Sequence, residues 1–223
     1  MRSLHLWAFI FIWLAVPVWA DTISCGQSDI EVRADHPADA ELTCDAVRRA
    51  EVLFARCNMP PFKHPLRVEI VRDLKPRCVA IYHCGESWIE VLEPRLMEER
   101  RSAEGAFGFL STSDYFQSVL VHELAHATFD NVPCPFDACI VANEYVAYAL
   151  QVMSLTPEAQ ALFAQNSELD RRVSRDELNA VILFMAPGRF AQLAWAHVLQ
   201  RGDACGFIGQ IMDGTVLLDR ERF

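Results

Sequence analysis

The sequence predicts an α+β fold in which a small mixed sheet lobe precedes a helical lobe. Three observations carry this. Short stretches of Ile and Val alternating with charge occur only in the first half of the chain. Apolar residues at helical spacing dominate from residue 113 onward. The 223 residues are 52% hydrophobic and 22% charged, enough to bury a core and too apolar for a disordered chain.

The elements follow in order. Arg2 precedes an apolar run from Leu4 to Val16, broken only by His5, and Val18-Trp19-Ala20 offers a cleavage site before Asp21. Residues 1–20 therefore read as a secretory signal peptide, since the apolar run is short for a membrane span. Asp29 to Arg33 alternates as a half-buried strand does. Pro37 to Cys57 has helical periodicity and ends at Pro60-Pro61. Leu66 to Val71, Cys78 to Tyr82 and Trp88 to Leu92 read as three more strands, and Pro94 to Arg101 as a short helix.

The helical half begins with Asp114 to Phe129, capped by Ser113 or Asp114. Cys139 to Ser154 is the next helix. Thr156-Pro157 opens a third, with proline at its first position. Ser174 and Glu177 form a capping-box pattern that opens a fourth. Pro187-Gly188 breaks the pattern before a helix from Arg189 to Arg201. A last short helix covers Asp203 to Met212. No repeat or long linker appears, so 21–223 reads as one domain with an α/β lobe at 21–112 and a helical lobe at 113–223. Trp88 and Trp195 read as core. The Glu98 to Arg101 run and the Asp219 to Arg222 charges read as a solvated face and a solvated tail.

The net charge is -10, and no Lys/Arg run stands out. Binding to nucleic acid or an anionic membrane surface is therefore not expected. After signal cleavage no segment is expected to insert stably in a membrane. Eight cysteines, all beyond residue 20, suit an exported, disulfide-braced protein, secreted or periplasmic. Cys134 and Cys139 flank a short loop, and Cys78 and Cys84 a short segment, so both pairs are expected to close locally. Cys44 and Cys57 share one helix at about 20 Å, too far to bridge. They are left to Cys25 and Cys205. A strand from Cys25 followed by an antiparallel helix would favour Cys25–Cys57, and hence Cys44–Cys205.

Residues 122–126 read His-Glu-Leu-Ala-His. On a helix, His122 and His126 share one face and can present two imidazoles to one zinc ion. Glu123 lies beside the pair, suited to take a proton from metal-activated water. Two histidines and a glutamate on an otherwise apolar helix are costly without partners. The third ligand is expected to be Glu144, on the next helix among apolar neighbours. Asp130 and Asp137 are competitors, better suited to caps or to groups behind the ligands.

HELAH followed by Asn143-Glu144-Tyr145-Val146-Ala147 resembles the gluzincins, the zinc metallopeptidases that include thermolysin-like enzymes and aminopeptidases of the M1 type. The resemblance covers about residues 115–154. Asp130, four residues after His126, also fits the thermolysin-like pattern. The spacer between the two parts is slightly shorter than in those groups, and no G-x-M-E-N motif is present. The whole chain also resembles an uncharacterised family of small secreted bacterial proteins with this motif.

The resemblance implies a zincin-like fold with the active-site helix between the lobes. It implies His122, His126 and Glu144 as zinc ligands and Glu123 as general base, then proton donor to the leaving amine. It also implies a donor to the oxyanion, for which Tyr148 and His197 are candidates; His83 is uncommitted. Asp130 and Asn143 are candidates for supporting the ligands. The family often has an acidic residue four after the glutamate ligand, where this chain has Tyr148. The expected function is a secreted zinc-dependent hydrolase acting on peptide or protein substrates. The alternative is a non-catalytic secreted binding protein with a zinc-stabilised fold.

Overall fold

The computed structural model describes residues 21–219, except 27, 63, 77, 168 and 169. The expected signal peptide, and Arg220 to Arg222 of the expected tail, lie outside the described residues. The fold is α+β, with a five-stranded mixed sheet in the order β1-β2-β3-β5-β4. The strands are β1 (Asp21–Ser24), β2 (Ile30–Ala34), β3 (Leu66–Val71), β4 (Ala80–His83) and β5 (Trp88–Leu92). β2, β3 and β5 run parallel, and β1 and β4 close the two edges antiparallel. Only β1 has no counterpart among the expected strands.

Alternation gives the sheet two different faces. Register places Ile23, Val32, Val68, Ile89 and Tyr82 in one row across all five strands. Val32, Val68, Ile89 and Tyr82 are buried. The opposite face is polar: Glu69 pairs with Arg33 at 3.3 Å and Arg67 at 3.0 Å, and His83 Nε2 lies 2.8 Å from Glu90. Trp88 lies on this face, stacked on His83 at 4.0 Å with Arg67 above it, so it is half-buried rather than core.

The helices are α1 (Pro37–Arg56), α2 (Pro94–Arg100), α3 (Thr112–Phe129), α4 (Ile140–Met153), α5 (Pro157–Asn166), α6 (Ala180–Met185), α7 (Pro187–Leu199) and α8 (Ala204–Met212). α1 packs on β2, α3 on β4 and β5, and the two helices on each other; α4 packs on α3 and α7 on α4. α3 is thus enclosed from both sides, and every residue from Phe116 to Ala125 is buried. Trp195 is buried, as expected. Among the described residues no helix is long and apolar enough to cross a membrane.

Local chemistry moved several boundaries. α3 starts earlier than expected because Ser111, not Ser113 or Asp114, accepts the Asp114 N–H. The Ser174–Glu177 box closes only a single 3-10 turn, and α6 begins after its own cap, Asn179. Pro187 is the first residue of α7 rather than a break before it. The Glu98 to Arg101 run is not simply solvated. Arg100 donates to the Leu74, Lys75 and Cys78 carbonyls, and Arg101 to those of Phe107 and Leu110.

The disulfides are Cys25–Cys44, Cys57–Cys205 and Cys134–Cys139. The last was expected; the pairings Cys25–Cys57 and Cys44–Cys205 are corrected. Cys25 sits beside the start of β2, bonded to the Ile30 carbonyl, and the four steps of that strand span about 13 Å, which a helix covers in about nine residues. Running back along β2, α1 therefore draws level with Cys25 near Cys44, and Cys57 lies well beyond. The expected Cys78–Cys84 bond is also corrected, because both cysteines are free. Extended β4 stands between them, and its four residues alone span about 13 Å, outside disulfide reach.

Candidate metal centre

α3 and α4 present the expected cluster. His122 and His126, one turn apart on α3, face Glu144 on α4, and their ligand atoms all lie within 4.8 Å of one another. Glu144 Oε2 is 3.5 Å from His122 Nε2, and its Oε1 is 3.8 Å from His126 Nε2. Ligands about 2.0–2.1 Å from a tetrahedral ion stand roughly 3.4 Å apart, so these separations suit one zinc between them. The histidine side chains are 10% and 12% exposed and Glu144 27%, so the cluster opens to solvent on the glutamate side.

The far nitrogens of both rings are occupied. His126 Nδ1 lies 2.7 Å from Asn143 Oδ1, and His122 Nδ1 lies 3.2 Å from Gln151 Oε1. A neutral imidazole has one proton, and against an amide oxygen it sits on Nδ1. Each Nε2 then turns a bare lone pair toward a carboxylate. Three acceptors facing one another repel unless a cation or proton lies between them, and this donor set fits zinc. Burial alone would push the Glu144 carboxyl up; with a proton between the groups, His122 and then His126 outweigh burial and hold the carboxyl below its ordinary value.

Glu123, next to His122, is held from the sheet side. Its Oε2 accepts the Tyr82 N–H at 2.8 Å, so the free edge of β4 holds it. Burial pushes its carboxyl up from the ordinary value, against the pull of His126 and the Tyr82 N–H. Tyr148 lies one turn after Glu144, its ring 4.5 Å from that of His122. Burial, then the Glu144 charge, push its hydroxyl well above the ordinary range, so it stays protonated at neutral pH.

Other expected residues lie elsewhere. Asp130 caps α3 and bonds to the sheet lobe rather than to a histidine, accepting from the Tyr82 hydroxyl at 2.5 Å and the Gly85 N–H at 3.0 Å. Gly85, at φ 77°, makes the turn that brings this N–H within reach. Asp137 is exposed in the loop between Cys134 and Cys139. His83 is held by Glu90 on the outer face.

His197 does not reach the cluster, which corrects its candidacy as an oxyanion donor. It is 1% exposed, its Nδ1 lies 2.9 Å from the Tyr145 hydroxyl, and its Nε2 is against Arg201. α7 buries it against a different face of α4 from the one that bears Glu144. Gln151 and Tyr82 were not anticipated. Gln151 had a signal in the sequence, since Glu144, Tyr148 and Gln151 share one helical face. Tyr82 had none, because its part in the site is a backbone N–H.

No curated protein and no solved structure gives a match to this chain. Residues 30–221 match the model of a family of unknown function, DUF6639, and the chain belongs to that family.

Proposed function

We propose that this protein is an exported zinc-dependent hydrolase acting on peptide bonds. The observation that carries the reading is the convergence of His122, His126 and Glu144 beside a glutamate that binds elsewhere. The gluzincin-like sequence of α3 and α4 supports it, as does a mixed sheet with the motif helix under its edge, the basis for reading the fold as zincin-like. Export rests on the expected signal peptide and is in keeping with three disulfides.

His122, His126 and Glu144 would hold the ion. Bound there, zinc supplies Lewis acidity, acidifying water and polarising a carbonyl. Glu123 takes the proton from the attacking water at its second carboxylate oxygen while Tyr82 N–H holds the first. It then returns that proton to the leaving amine nitrogen. Tyr148, protonated and beside His122, donates toward the developing oxyanion of the substrate carbonyl. Asn143 and Gln151 hold the histidine rings in place.

The test pairs metal analysis of the mature protein with cleavage of a peptide library. Stoichiometric zinc is expected, with cleavage that falls about 10²- to 10⁴-fold in Glu123→Gln while zinc is retained. A protein that binds no zinc contradicts the reading. Zinc without cleavage in the wild type would favour the alternative, a secreted binding protein with a zinc-stabilised fold.

A further inference from the structure

His122 lies at the end of a directional chain of hydrogen bonds. The Ser118 hydroxyl donates its only proton to the Tyr115 carbonyl at 2.8 Å. Toward Gln151, 3.2 Å away, Ser118 Oγ can therefore only accept. That turns the amide nitrogen of Gln151 to the serine and its carbonyl oxygen to His122 Nδ1. A carbonyl oxygen has no proton to give, so the imidazole donates. A serine one turn earlier on the same helix thus decides where the His122 proton sits. Ser118 and Gln151 are 1% and 3% exposed, so water does not compete for these bonds.

Resting on the metal reading above, we infer that Gln151, oriented by Ser118, is the positioning residue that aims the His122 Nε2 lone pair at the ion. The residue four after Glu144 is Tyr148, which meets His122 only through its ring. Support for the ring comes from one turn further along the same face of α4. It differs in charge as well as in place. Asn143 and Gln151 are both neutral amides, so among the described residues Glu144 is the one carboxylate within ion-pair distance of the His122 and His126 rings. An ion held this way keeps more of its positive charge than one whose histidines are backed by carboxylates.

Three variants and two measurements test this. Nitrogen-15 NMR of the metal-free protein reads the tautomer of His122 directly. Competition with a chromophoric chelator reads the zinc affinity, and circular dichroism checks folding. Wild type should show a proton on Nδ1. Gln151→Leu should lose that preference and bind zinc about 10- to 100-fold more weakly. Gln151→Glu restores an acceptor and should bind at least as tightly as wild type. Ser118→Ala frees the amide to turn and should fall between wild type and Gln151→Leu, which keeps the comparison open if the leucine variant does not fold. Wild-type tautomer and wild-type affinity in Gln151→Leu would overturn the role given to Gln151. Failure of the wild type to bind zinc would instead overturn the metal reading on which that role rests.

Discussion

At the scale of single residues, the molecule separates histidines that lie in reach of an ion from one that does not. His122 and His126 keep their Nε2 atoms free toward Glu144, whereas both nitrogens of His197 are engaged in the core. Burial, then Arg201 and Arg172, bring the His197 pKa down to about 4. In the unfolded chain the same residue takes up a proton below about pH 6.5. The unfolded state therefore binds the extra proton between those values, and stability falls as pH drops from about 6.5 to about 4. Urea unfolding of wild type and His197→Gln at pH 7 and pH 5 checks this. The variant should lose less stability between the two pH values than wild type; an equal loss would assign the acid sensitivity to other groups. His122 and His126 could be paired from spacing alone, because helix geometry places i and i+4 together, whereas Glu144, on another helix, could not. His197 could not be excluded that way, since nothing in its own helix says which face of α4 it meets.

At the scale of elements, α4 matters most because it bears Glu144, Tyr148 and Gln151. Its first residues have no cap from Cys139. Asp219 supplies one from far along the chain, its two oxygens each 2.9 Å from the Val141 and Ala142 N–H groups. At the other end Arg49 of α1 donates to the Ser154 carbonyl at 3.3 Å. The sequence reading of Asp219 as part of a solvated tail is therefore corrected. A cap formed across 77 residues leaves no local pattern to find. Replacing Asp219 with alanine should cost about 1 kcal/mol, as loss of an N-cap does. Asp219→Asn, which keeps one acceptor, should cost less. Equal thermal unfolding of all three proteins would mean that the contact does not hold the helix.

At the scale of the whole molecule, the α+β class was evident from where the alternating and helical patterns fall. The sheet order was not, because strand neighbours are chosen by packing between distant segments. The cysteines show the same limit. The short Cys134–Cys139 loop was readable, while the long pairings depended on how far α1 runs past β2. Cys57–Cys205 ties the end of α1 to α8 across 148 residues, joining the sheet side of the molecule to its last helix. Removing that bridge by the double substitution Cys57→Ser and Cys205→Ser should cost about 2–5 kcal/mol in urea unfolding. An unchanged midpoint would show that the packed core alone joins the two regions.

In the proposed metal centre two histidines and one carboxylate bind zinc while the free thiols do not. Partial burial, then the Asp130 charge, push the Cys84 thiol above its ordinary value, making its thiolate a poor competitor for metal. X-ray absorption at the zinc edge of the loaded protein tests the claim directly. Nitrogen and oxygen scatterers at about 2.0–2.2 Å, including two imidazoles, are expected, with the signal lost in Glu144→Ala. A sulfur shell at about 2.3 Å, or an unchanged spectrum in that variant, would contradict it.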